Sequence, residues 1–106
     1  MTADALGLLG LARKAGRLEL GEDPVDAACR SRQAALVLLA ADAAENTRRR
    51  VSRWCEAANT PCISLSAGKE ELGARLGRGS CAVAALTDHG FASALRKKLA
   101  EEETAG

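Results

Sequence analysis

A chain of 106 residues has room for one domain and not two, so a single domain over residues 1–100 followed by an acidic tail at 101–106 is expected. Its 15 basic and 14 acidic side chains give a formal net charge of +1, which alone implies no polyanionic partner, and its 47% hydrophobic share is ordinary for a folded soluble chain. With one Trp, one Phe and no Tyr, the core must be built from Ala, Leu and Val, and recognition of single strands by several stacked rings is disfavoured.

"ADALGLLGLARKAG" reads as an opening helix. Asp4 is placed as its cap, Leu6, Leu8, Leu9 and Ala12 supply apolar spacing, and Arg13, Lys14 and Gly16 provide a basic last turn and a stop. "RLEL" is a brief strand. In "LGEDPVDAACRSR", Asp23 fits an N-cap and Pro24 the first helical position, where its missing N–H costs nothing; a helix from about Pro24 to Arg32 follows. "AALVLLAA" (Ala34–Ala41) is continuously apolar, the mark of a strand covered on both faces.

Asp42 and Glu45, three apart, predict a capping-box start for the next helix. Val51, Trp54, Cys55 and Ala58 share one face of it, with Arg48, Arg49, Arg50 and Arg53 elsewhere around the cylinder. "NTP" ends it and "CISL" is a third strand. "SAGKEELGARLG" gives a short helix with Leu72 and Leu76 four apart, "RGS" a glycine loop and "CAVAAL" a fourth strand. Thr87 or Asp88 caps a last helix marked by Phe91, Leu95 and Leu99, and the acidic tail is expected to fray into disorder. Helix and strand alternating in this way predict an α/β sheet with helices on both faces.

The four cysteines, Cys29, Cys55, Cys62 and Cys81, are spaced by 26, 7 and 19 positions. There is no CxxC pair and a single histidine, His89, so a metal site is not expected and the thiols read as small buried hydrophobes. No signal peptide or membrane span is read from the apolar runs, which places the chain in the cytoplasm. His89 stands beside Asp88 without a second histidine, and Ser64, Ser66 and Ser80 lack a GxSxG context. Glu70 and Glu71 are neighbours that point apart on a helix, while Gly73, Gly77 and Gly79 do not follow a strand in the GxGxxG manner. No catalytic constellation emerges, and neither an enzyme nor a cofactor is expected.

The basic residues remain. Setting aside Glu101, Glu102 and Glu103 leaves 15 basic against 11 acidic side chains, a balance that permits moderate RNA affinity. "TRRRVSR" reads as a solvated face supported by a Glu45–Arg49 helix pair, with phosphate contact the less favoured role. Arg13, Lys14 and Arg17 form a second group, locally explained as partners of a helix C-terminus.

In order, "LLGLARKAGRLELGEDPV", "AALVLLAADAAENTRRRVSRWCEAANTPCISL" and "KEELGARLG" resemble the kink-turn RNA-binding ribosomal proteins of the L-seven-Ae, L-thirty-e and S-twelve-e superfamily, its short bacterial members above all. The likeness runs from about Leu6 to Leu99. It implies a three-layer α/β/α sandwich with a mixed sheet of about four strands, and structured RNA, ribosomal RNA among the candidates, as partner. It implies neither catalysis nor a cofactor. In that superfamily a Gly-x-Asn-Glu signature with a following lysine meets sheared G·A pairs, and the loop before the last strand packs on an extruded base.

Carried over by position, Gly21 matches the signature glycine, which lets backbone approach RNA closely. Asp23 stands where Asn belongs, Pro24 replaces the Glu and Ala27 the lysine; each lost base contact costs about 1–3 kcal/mol. "GRGSCA" occupies the second contact region, with Gly79 and Ser80 offering little apolar surface. The RNA-binding residues expected are therefore Arg13, Lys14, Arg17, Gly21, Glu22, Asp23, Arg30, Arg78, Gly79 and Ser80. The five cations are assigned to phosphates from charge and expected proximity alone. Glu22, Asp23 and Asp26 oppose an anion at this edge, with Arg30 four residues after Asp26 as a neutralising partner. The alternative is a protein-interaction adaptor that keeps the fold with weak or lost RNA recognition and uses the Arg48–Arg53 helix or the Ala-rich faces. The free chain is expected to be a monomer.

Overall fold

The computed structural model describes residues 1–105, with side chains described through residue 104. In chain order the elements are α1 (Ala3–Lys14), β1 (Leu18–Leu20), α2 (Glu22–Arg30), β2 (Leu36–Leu39), α3 (Glu45–Ala58), β3 (Cys62–Ser64), α4 (Lys69–Leu76), β4 (Val83–Leu86) and α5 (His89–Ala105).

The sheet has four strands in the order β1-β4-β2-β3. β4 pairs antiparallel with both β1 and β2, and β2 pairs parallel with β3, so the sheet is mixed. All four residues of β2 and of β4 are buried, because successive side chains point into different layers. Leu36, Leu38, Ala84 and Leu86 join Leu9, Leu72, Leu76 and Leu95 in a core under α1, α4 and α5. Val37, Leu39, Val83 and Ala85 join Val25, Cys29, Val51 and Cys55 in a second core under α2 and α3. The result is the three-layer α/β/α sandwich that the resemblance implied.

Several helix boundaries differ from the sequence reading. Thr2, not Asp4, caps α1: its extended backbone lets the hydroxyl accept from the Ala5 N–H at 3.2 Å, leaving Asp4 in the first turn as a dipole partner. α2 starts at Glu22 with Gly21 as its N-cap, so Asp23 and Pro24 are its second and third residues. Pro24 is accommodated because the first intrahelical hydrogen bond is donated one residue later, by the Val25 N–H to the Gly21 carbonyl at 3.1 Å.

The capping box at α3 does not form. Ala44 is the N-cap without a side-chain bond, and Asp42 instead accepts from the Lys69 N–H at 2.8 Å, capping α4 from across the sheet end. At α5, Asp88 does cap, accepting from Phe91 N at 2.9 Å. The tail expected to be disordered continues as helix through Ala105, and Glu102 accepts from the Thr2 N–H at 2.6 Å. Gly106 lies outside the described residues.

Candidate nucleic-acid interface

One end of the sheet collects four chain junctions. The Gly21 N–H donates to the Val83 carbonyl at 3.0 Å, Ala40 to Ala82 at 2.9 Å, and Ala41 to Ala67 at 2.9 Å. These bonds bring together the β1–α2, β2–α3, β3–α4 and α4–β4 connections.

Gly21 has φ +96°, a conformation that side-chain-bearing residues rarely adopt, and the chain turns there directly from strand into helix. No side chain caps α2, so the N–H groups of its first turn, at the positive end of the helix dipole, are left for an external acceptor. Asp23, Pro24 and Ala27 are exposed on the same helix.

Glu22 is held from α3. Arg50 grips its carboxylate with Nε at 2.7 Å and Nη2 at 3.0 Å, and the Thr47 hydroxyl donates to it at 3.2 Å. Arg50, chiefly by these hydrogen bonds, holds the carboxyl below its ordinary range against the opposing effect of burial. One of the three acids at this edge is thereby charge-compensated. Local spacing carries no signal for this cluster, since Glu22 and Arg50 lie 28 residues apart.

The loop before β4 faces the same edge. A Cβ built on Gly21 would sit 3.4 Å from Arg78 Nη1. The loop is shaped by Gly73, where a Cβ would meet Ser80 Cα at 2.6 Å and Ser80 N at 2.8 Å. Arg78 N–H donates to the Gly73 carbonyl at 2.7 Å and Cys81 N–H to Lys69 at 2.8 Å, binding the loop back along α4. Arg78, Gly79 and Ser80 are all exposed. Arg13 donates to the Leu76 carbonyl at the end of α4, and with Lys14 and Arg75 it lines a groove of about 750 Å³ between α1 and α4.

Of the expected site residues, the structure therefore gathers Gly21, Glu22, Asp23, Arg78, Gly79 and Ser80 at one end of the sheet, with Arg13 and Lys14 beside the loop's start. Arg17 lies at the other end of β1, where its carbonyl accepts from Thr87 N at 3.0 Å. Arg30 ends α2, the far terminus from Gly21, in an i,i+4 pair with Asp26 at 3.3 Å. Proximity in sequence misplaced both.

"TRRRVSR" divides its work. Arg49 pairs with Glu45 at 3.4 Å as the spacing predicted. Arg48 instead turns inward, donating to the carbonyls of Ala40, Ala41 and Ala43 and to the Ser64 hydroxyl, so it closes the end of β2. Three cysteines are buried and Cys62 is half-buried, and burial pushes the Cys29 and Cys81 thiols up. His89 is exposed at the start of α5. Among the described residues no helix is long and apolar enough to cross a membrane.

Fold and site together define a small α/β/α sandwich of the ribosomal-protein type. The chain belongs to the ribosomal protein L7Ae/L30e/S12e/Gadd45 family, which it matches over residues 3–96. It is 39% identical over 88 residues to the RNA-binding protein YlxQ of Bacillus subtilis (strain 168), covering 83% of this chain and 87% of that protein. It is 35% identical over 88 residues to the RNA-binding protein YlxQ of Enterococcus faecium, covering 83% and 84%. A solved structure of a protein with unknown function from Bacillus halodurans C superposes with a TM-score of 0.82 at 31% identity, over 91% of this chain and 96% of that one.

Proposed function

We propose that this protein is a non-catalytic RNA-binding protein that recognises structured, kink-turn-like RNA in a ribosomal or translation context. The carrying observation is the convergence at Gly21: an uncapped helix start, a positive-φ glycine and the Arg78 guanidinium face the same space. The names of the two YlxQ relatives support the same partner.

In this reading the Gly21 backbone and the first-turn N–H groups of α2 meet a phosphate, and Arg78, Arg13 and Lys14 pair with others. Asp23 accepts from exposed base N–H groups. Pro24 and Ala27 have no group with which to read a base edge, so recognition rests on the shape of the bent backbone more than on guanine identity. Binding needs no cofactor, and the free protein is a cytoplasmic monomer.

Gel shifts of kink-turn RNA and of a plain duplex across a salt series test this. The three phosphate contacts made by cations predict a fall in affinity of about 40-fold between 50 and 200 mM salt, using the slope of about 0.9 per cation contact. Arg78→Ala should reduce that slope by about one contact, and Gly21→Val should abolish preference for the bent RNA. Equal affinity for both RNAs, or a Gly21→Val variant that binds as the parent does, refutes the reading.

A further inference from the structure

The groove between α2 and α3 is not used by the site at Gly21. It has a volume of about 610 Å³, within the range of roughly 300–1,000 Å³ occupied by small-ligand sites. Trp54 is half-buried: it packs against the second core and also lines the groove, together with Cys29 and Ala58. Around this apolar floor stand Arg30, Arg32, Arg50 and Arg53, with Asp26 as the only acid lining it.

Two of these cations are engaged by carboxylates, Arg30 by Asp26 and Arg50 by Glu22. Arg32 and Arg53 make no ion pair among the described residues. Arg32 holds φ +63°, a backbone that glycine adopts with less strain, and its Nη1 reaches the Ala58 carbonyl at 3.4 Å, from the end of one helix to the end of the other. An apolar surface that includes an indole, lined also by arginines, matches a nucleotide: a base can stack on the indole and phosphates can take the arginines. Arg50 lines this groove and grips Glu22, the residue after Gly21, so one arginine touches both the groove and the Gly21 edge.

We propose that the α2–α3 groove is a second nucleic-acid site, which takes one nucleotide of the single strand adjoining the structured RNA, its base on Trp54 and its phosphates on Arg32 and Arg53. This rests on the RNA-binding reading above. A lone ring suffices for one base, whereas the multi-ring stacking disfavoured by the composition needs several.

The chain has one Trp and no Tyr, so tryptophan emission reports on this groove alone. Titration with a short oligouridylate should quench Trp54 saturably, and added salt should reverse the quenching. By anisotropy of a labelled oligouridylate, Trp54→Ala should weaken binding about tenfold or more. Arg32→Gly removes the strained backbone with the guanidinium, so its Tm should equal or exceed the parent's while oligouridylate binding falls several-fold; this separates ligand contact from folding. Kink-turn RNA carrying a single-stranded overhang should bind tighter than the same RNA without it.

Unchanged emission under oligouridylate, with kink-turn RNA still shifted, overturns the groove and leaves the Gly21 site standing. Quenching without any kink-turn shift supports the groove while refuting that first reading. Quenching by polyglutamate as strong as by oligouridylate also overturns the proposal, and points to an acidic protein partner.

Discussion

At the scale of single residues, charge pairing across α2 and α3 decides how an acid is tolerated where RNA is proposed to bind. Glu22 has its carboxyl held below the ordinary 4.5 by Arg50. Its contribution to stability is fully present above that ordinary value and is lost as pH falls through the lowered one. The pair is screened by solvent, since 35% of the Glu22 side chain is accessible, so it stabilises by about 1 kcal/mol or less. Glu22→Gln should lower stability in urea by that amount at pH 7, and the gap between parent and variant should close as pH falls below the ordinary carboxyl range and through the lowered one. A gap that persists undiminished at low pH assigns the effect to another cause. Several residues whose partners lie a few positions away were legible in the sequence, such as Asp88 as a cap, Glu45 with Arg49 and Asp26 with Arg30. Asp42, Arg48 and Arg50 were not, because their partners Lys69, Ser64 and Glu22 come from other elements and no local spacing encodes them.

At the scale of elements, periodicity located all nine helices and strands of the described residues, since apolar spacing reports which face is covered. Ends were harder. α2 begins two residues before Pro24 because the positive-φ backbone at Gly21 lets the helix start where β1 stops, and no propensity favours that over a cap at Asp23. Gly73 shows a similar conflict inside α4. In isolation Ala would be the better helix former there by about 1 kcal/mol. In the fold its Cβ would lie within 3 Å of Ser80 and Arg78 backbone atoms, which cannot swing aside as a flexible side chain can. Gly73→Ala should therefore destabilise by about 1–3 kcal/mol in urea and weaken the kink-turn shift by displacing Arg78. A variant more stable than the parent that binds RNA equally well would show that the loop yields freely.

At the scale of the molecule, two cores share one sheet, and β4 holds them together. Among the described residues it is the only strand that pairs with β1, matching Leu18 to Leu86 and Leu20 to Ala84, and it also pairs with β2 throughout its length. A chain ending at Ser80 retains β2 with β3 but leaves β1 without a partner. That truncated chain should show no cooperative urea transition by circular dichroism, whereas one ending at Ala100 should unfold cooperatively; a sigmoidal melt from the shorter chain would contradict this.

The central place of this late strand also sets an order in time. During synthesis Gly21 emerges early, yet its N–H acceptor on Val83 and the neighbouring Arg78 arrive more than fifty residues later. The Gly21 end of the sheet is not assembled until β4 slots between strands already made. On the RNA-binding reading proposed above, capture of RNA at the Gly21 end waits for β4, and a product stalled before β4 leaves the RNA for copies that carry it.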